Sequence, residues 1–403
     1  MNTETSEQVR PTRVAIKLEK VKAPCRRVRV AINAISDLTS KYGSYVYLIE
    51  LSRILARSEG IDLLLLVGRG ATQSLPDDLR SKAYEVPIPA SRSYWQAFYH
   101  KQIEDVLLRE KVDVYHLPNT LPFFRKVVPT VVSIHDLADL RLRKYGFFRT
   151  KYRWLINYSA AKVADRVLTL SENSKEDLNV LLRVPKEKVT VTFAGVDKRF
   201  RLLDRATCKE RVRRAYHIDS HYLLAPGGLS RNKNIVNLVA AFSQLKLSHP
   251  DISLVLTGYG SESERRDIVR QSSALGLKDS VILTGYVDVD QMPFLYGACS
   301  VVVYPSSYEG FGLPAVEAMA SGRPLVVSNA SSLPEVTGDA ALLVDPNDPS
   351  AIASATRRLL DDKVLCDVLI SRGLVRARSF TWEQAGDRVS EVYRELVRNP
   401  AEK

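Results

Sequence analysis

The stretch SVVVYPSSYEGFGLPAVEAMASG, Ser300 to Gly322, decides the fold. It opens on a β-branched apolar run, turns through a loop holding Gly310 and Gly312, and enters a segment built for a helix. Pro314 suits a first helical position, Ala315 to Ser321 favour helix, and Gly322 is a natural stop. The leading run is nearly continuous in apolar character rather than alternating, which marks a strand covered on both faces.

The same signature recurs in both directions. Upstream lie RVRVAIN (27–33), LLLLV (63–67), VDVYHL (112–117), PTVVSIH (129–135), RVLTLS (166–171) and VTVTFAG (189–195). The second half carries YLLAPGG (222–228), SLVLTGYG (253–260), SVILTGYV (280–287), SVVVYPS (300–306), PLVVSN (324–329) and ALLVDP (341–346). Six runs in each half predict two α/β domains, each a doubly wound parallel sheet, facing each other across a cleft. A chain of 403 residues also exceeds what one core organises. The expected division is a mobile basic arm over 1–25, an N-terminal domain over 26–196, a C-terminal domain over 197–380, and a final helix over 381–403. That helix is amphipathic; the pattern does not name its home domain, and packing back on the N-terminal domain is one option.

Four cysteines without metal-type spacing suggest a reducing compartment. No apolar run approaches the roughly 18 residues of a membrane span, and the start lacks a signal-peptide stretch, so a cytoplasmic protein is expected. The net charge of +12 is uneven: residues 1–200 hold 34 Lys and Arg against 22 Asp and Glu, whereas residues 201–403 hold 24 of each. A basic first half predicts a polyanionic partner there. RLRKYGFFRTKYRWLINY (141–158) mixes cations with aromatic rings as an anionic membrane surface would require, and SRSYWQAFYHKQ (91–102) is a weaker candidate. No nucleic-acid-binding motif is present.

In open α/β sheets, ligands lie beyond the carboxyl ends of the strands, so motifs at those ends carry the chemistry. In the opening stretch, the amides of Phe311, Gly312 and Leu313 stand free before a helix start, an anion site. Glu309 is expected at the loop's entrance and Glu317 in the helix's first turn, bordering one pocket without touching. A carboxylate accepts two hydroxyls, as a sugar diol offers. In APGGLSRNKNIVNLVAAF (225–242), Gly227 and Gly228 end a strand and Arg231 and Lys233 precede a helix, an arrangement that holds a diphosphate. His135 ends another strand and faces the cleft; His116 has a similar position.

The Glu309-to-Glu317 spacing resembles the E-x7-E signature of retaining glycosyltransferases of the two-domain GT-B class, family 4. The resemblance spans about residues 27–395, including KYGSYVYLIEL (41–51), SIHDL (133–137), LSENSKEDL (170–178), LTGYG (256–260) and LTGYVDVDQMPFLYGAC (283–299). It implies a retaining, metal-independent hexosyltransferase needing no cofactor beyond its GDP- or UDP-linked sugar substrate, with mannose the favoured sugar. Its acceptor would be a glycan or lipid-diphosphate-linked glycan in bacterial surface polysaccharide assembly. The implied catalytic residues are Glu309, Lys233, Arg231 and His135. The implied donor-binding residues are Gly43 and Ser44 across the cleft, Gly228, Gly258, Tyr286 and Val287 near phosphates and base, and Phe311, Gly312, Leu313 and Glu317. Two positions depart from the common pattern: Gly228 and Asn232 stand where many relatives carry arginine. A catalytically inactive sugar-nucleotide-binding protein, or a related two-domain enzyme such as a nucleotide-sugar epimerase, is the alternative.

Overall fold

The computed structural model describes residues 26–35, 38, 43–88, 100–120, 125–142 and 146–398. The arm expected over 1–25, most of the 91–102 candidate, and Arg143 and Lys144 lie outside them. The first sheet contains β1 (Val28–Asn33), β2 (Ile61–Gly68), β3 (Ala83–Val86), β4 (Val114–Leu117), β5 (Thr130–Ser133), β6 (Arg166–Thr169) and β7 (Val189–Val191), in the order β3-β2-β1-β4-β5-β6-β7. The second contains β8 (Tyr222–Ala225), β9 (Ser253–Thr257), β10 (Val281–Gly285), β11 (Val301–Tyr304), β12 (Leu325–Ser328) and β13 (Leu342–Val344), in the order β10-β9-β8-β11-β12-β13. Every neighbouring pair is parallel.

Two doubly wound sheets are thus present, with one correction: the first has seven strands, not six. The seventh, β3, has the sequence AYEV and pairs only with β2, at the edge. A half-exposed edge strand needs no apolar run, so it leaves little trace in the pattern. Elsewhere the apolar runs are explained by burial; every residue of β4, β5, β8, β9, β11 and β12 is buried.

Strand order positions the site. In the second sheet the order reverses between β8 and β11, which pair through Val301 with Leu223 and Val302 with Leu224. Their carboxyl ends open on one crevice, where Gly227 lies against Lys233 and against Pro314 at the end of the loop that holds Glu309. The first sheet reverses between β1 and β4, with His135 just beyond neighbouring β5.

The chain crosses between the halves twice, and the crossings touch. The Val196 amide donates to the Phe380 carbonyl at 3.0 Å, and Gly195 lies against Thr381 and Trp382. Phe311 packs its ring on Phe380 at 5.4 Å, and Phe380 on Phe193 at 5.8 Å, filling the seam. The final helix, Trp382–Val397, packs on the helix Gly43–Arg57, on β1 and on β4. Its Tyr393 hydroxyl lies 2.6 Å from Nδ1 of His116, whose Nε2 is 2.8 Å from Ser133 Oγ. Among the described residues no helix is long and apolar enough to cross a membrane.

Candidate active site

Lys233 stands at the centre. It ends a short helical turn after β8, and Asn234 follows in a left-handed conformation, its side-chain amide donating to the Pro305 carbonyl at 3.2 Å. That tie brings the turn to the end of β11. Lys233 Nζ then donates to Glu309 Oε1 at 2.8 Å and to the Tyr304 hydroxyl at 2.7 Å. Burial on its own lowers an ammonium pKa, but Glu309 and Tyr304 outweigh it and hold Lys233 above its ordinary value. Two of its three hydrogens are committed, leaving one for an anion.

The glycines beside it form the floor. Gly228 (φ +94°) and Gly258 (φ +97°) lie back to back: a Cβ on Gly258 would come within 2.7 Å of the Gly228 amide nitrogen. Only two residues without side chains let the ends of β8 and β9 approach this closely. Gly227 faces the ammonium, so any anion here meets backbone and cation together.

Glu309 is fixed by its own backbone. Its amide donates to Ser331 Oγ at 2.8 Å, and Ser332 Oγ donates to the carbonyls of Glu309 and Phe311 at 3.0 and 2.8 Å. The side chain of Phe311 is buried in the seam, so only its backbone is available to a ligand; among the described residues the amides of Phe311, Gly312 and Leu313 meet no acceptor. Glu317 requires a correction. Gly312 caps the helix Leu313–Ala320, which puts Glu317 in its second turn and not its first. Its Oε2 accepts from the Tyr296 hydroxyl at 2.8 Å. Burial pushes its carboxyl up to about 7, with the Tyr296 hydrogen bond and Lys233 pulling the other way.

Across the cleft, the ring of His135 packs edge-on to Tyr47 at 4.5 Å. Neither ring nitrogen makes a hydrogen bond of good geometry among the described residues; burial pushes its pKa down to about 4, with the Pro118 backbone pulling the other way. It is therefore a neutral imidazole near pH 7, able to donate or accept. Gly43 and Ser44 begin the helix that carries Tyr47, one turn away. The two halves meet at Gly310, where an added Cβ would lie 2.7 Å from Asp136 Cβ and 2.9 Å from the His135 carbonyl oxygen.

Arg231 is exposed. Its amide donates to Glu264 Oε1 at 3.0 Å, but its guanidinium does not join the Lys233–Glu309 pair. Val287 is buried, so its backbone is what it offers, whereas Tyr286 is 43% exposed and stacks on Tyr259, itself 64% exposed. Tyr304, Tyr296 and Tyr259 were not singled out from the sequence. Tyrosine at a strand end reads as core filling, and only the strand-end position of Tyr304 and Tyr259 hinted at more. Among the described residues no group of three His, Cys, Asp or Glu gathers in a way that could hold a metal ion.

Residues 43–200 match the family described as Glycosyltransferase Family 4, and residues 209–375 match Glycosyl transferases group 1. The chain is 32% identical over 302 residues to O-antigen chain mannosyltransferase B of Escherichia coli, covering 74% of this chain and 78% of that protein. Among solved structures, sucrose-phosphate synthase of Thermosynechococcus elongatus superposes with a TM-score of 0.74 at 22% identity, covering 92% of this chain and 99% of that one. Anabaena Alr3699/HepE, solved with UDP-glucose, gives 0.73 at 18% identity, covering 92% and 100%.

Proposed function

The chain belongs to the glycosyl transferases group 1 family and is a glycosyltransferase of the GT-B type, and from that premise we propose that it moves mannose from GDP-mannose to a hydroxyl of a lipid-linked glycan, with retention of anomeric configuration. The observation that carries this reading is the meeting of Lys233, Glu309 and the Gly227–Gly228 floor at the switch between β8 and β11. A diphosphate needs fixed positive charge and free backbone amides; a hexose needs an acceptor carboxylate within reach of the same phosphate.

Glu317 takes the ribose hydroxyls, and the exposed ring of Tyr286 lies beside the base. The free amides of the 311–313 loop and the third hydrogen of Lys233 take the distal phosphate, while Glu309 accepts from the sugar. As the anomeric C–O bond breaks, its electron pair moves to the diphosphate, where Lys233 stabilises the charge. The acceptor hydroxyl attacks from the face the leaving group vacates and passes its proton to the departing phosphate. His135 bonds a sugar hydroxyl. Because Lys233 supplies the charge stabilisation, EDTA should leave turnover unchanged.

Mannose is supported by the relative's printed name and by the 32% identity to it. A lipid-linked acceptor is supported by the surface of the helix Phe147–Val163. Phe147 and Phe148 are 74% and 85% exposed, and Tyr152 and Leu155 continue the outward stripe one and two turns on, beside Arg149 and Lys151. Rings and cations on one outward face suit the inner face of an anionic membrane. Arg141, expected to join that surface, is held instead by Asp177.

A thermal-shift panel of GDP, UDP and ADP tests the donor. GDP should raise the melting temperature most; no shift with any nucleotide would overturn the reading.

A further inference from the structure

The segment LSENSKEDL (170–178) has no task in the donor site, yet its helix carries a run of polar contacts to the opposite domain. Ser171 caps the helix Glu172–Leu182 by accepting from the Ser174 amide at 3.0 Å. The two amides before it, of Glu172 and Asn173, donate to the two carboxylate oxygens of Glu335 at 3.0 and 3.1 Å. A helix start attracts an anion, and here the second domain supplies one. Ser174 Oγ donates to the Gly310 carbonyl at 3.3 Å, and Asp177 Oδ2 accepts from the Tyr308 hydroxyl at 2.6 Å. Tyr308 and Gly310 are the residues on either side of Glu309. The first domain thus grips the donor loop immediately before and immediately after its carboxylate.

Asp177 is suited to receive that hydroxyl. It is 1% exposed, and its other oxygen accepts from Arg141 Nε of its own domain at 2.6 Å. The guanidinium balances the buried charge within the first domain and fixes the carboxylate's direction. Tyr308, 6% exposed, brings a donor and no charge, so the contact forms without burying a second ion.

We propose that Asp177 and Tyr308 are positioning residues that form a latch: on domain closure the Tyr308 hydroxyl docks on the carboxylate oriented by Arg141, and this sets Glu309 against Lys233. Neither residue touches the substrate. Glu309's part in this rests on the glycosyltransferase reading; the latch between domains does not. Apart from Gly43 and Ser44 across the cleft, the residues assigned to phosphates, ribose and base lie within the second domain, so loss of the latch slows turnover and largely spares nucleotide binding.

Tyr308→Phe keeps the ring and removes only the donated hydrogen. Titration with GDP, and with UDP in parallel, should give a dissociation constant within twofold of wild type. The kcat for release of GDP from GDP-mannose should fall by about tenfold to a hundredfold, as for a lost hydrogen bond to a charged group. Small-angle scattering should show a larger radius of gyration than wild type, without nucleotide and with it. Wild-type kcat in the variant, or a loss of nucleotide affinity parallel to the loss of kcat, would overturn the proposal. If wild type itself binds no nucleotide and turns over no donor, the functional reading fails, and the latch is still decided by scattering: identical curves for the two proteins would end it.

Discussion

An ammonium has three hydrogens, and at Lys233 two are engaged by Glu309 and Tyr304. The third is therefore a directed contact, and charge that develops on a leaving phosphate is met by a cation already in place. Lys233→Ala should reduce turnover by about a hundredfold, on the order of 3 kcal/mol, with a smaller change in nucleotide affinity; steady-state kinetics beside calorimetry would separate the two. Glu317 gives a pH signature. Its folded pKa is raised to about 7 from the ordinary 4.5, so the folded protein holds a proton there that the unfolded chain releases between those values. Its contribution to stability is fully present below about 4.5 and is lost as pH rises through about 7. Ribose hydroxyls donate to the ionised form, so nucleotide affinity should rise across pH 6 to 8, and Glu317→Gln should flatten both profiles. The two acids and the lysine were legible in the sequence because glycine and proline bracket them. Their phenolic partners were not, since Tyr304 and Tyr296 sit among apolar residues whose pattern burial alone explains.

The ends of β8 and β9 touch backbone to backbone through Gly228 and Gly258. A methyl at Gly258 would press on backbone that has no room to move. Gly258→Ala should destabilise the protein by about 1–3 kcal/mol, read as a lower denaturant midpoint with an unchanged slope, and should weaken nucleotide binding with it. Twelve of the thirteen strands were legible: burial on both faces forces continuous apolar runs in the inner strands, and the edge strands β7, β10 and β13 keep apolar runs though partly exposed. The edge strand β3 escaped because one partner and partial exposure ask little of its side chains. Glu317 falls in the second turn instead of the first for a local reason: Gly312 takes a left-handed conformation and serves as the cap, so the helix begins at Leu313, one residue before Pro314.

At the scale of the whole molecule, charge and exposed rings act together. Anionic liposomes should sediment the protein at low salt and release it as salt rises, because the attraction of a basic half is screened. Phe148→Ser should weaken binding at every salt concentration, while Arg149→Ser should chiefly reduce the salt dependence; equal sedimentation of both variants and wild type would remove the helix Phe147–Val163 from the interface. The seam where Gly195 and Val196 run beside Phe380 and Trp382 has another consequence, for heredity rather than catalysis. The half bearing β1 to β7 is encoded in two separated pieces, since its last helix comes after the whole of the other half. Recombination at one junction between relatives would give a hybrid whose closing helix was shaped for a foreign groove, with His116 facing a stranger's Tyr393. Exchange of specificity by shuffling therefore requires two breakpoints, and the architecture favours descent of both halves as a single inherited block.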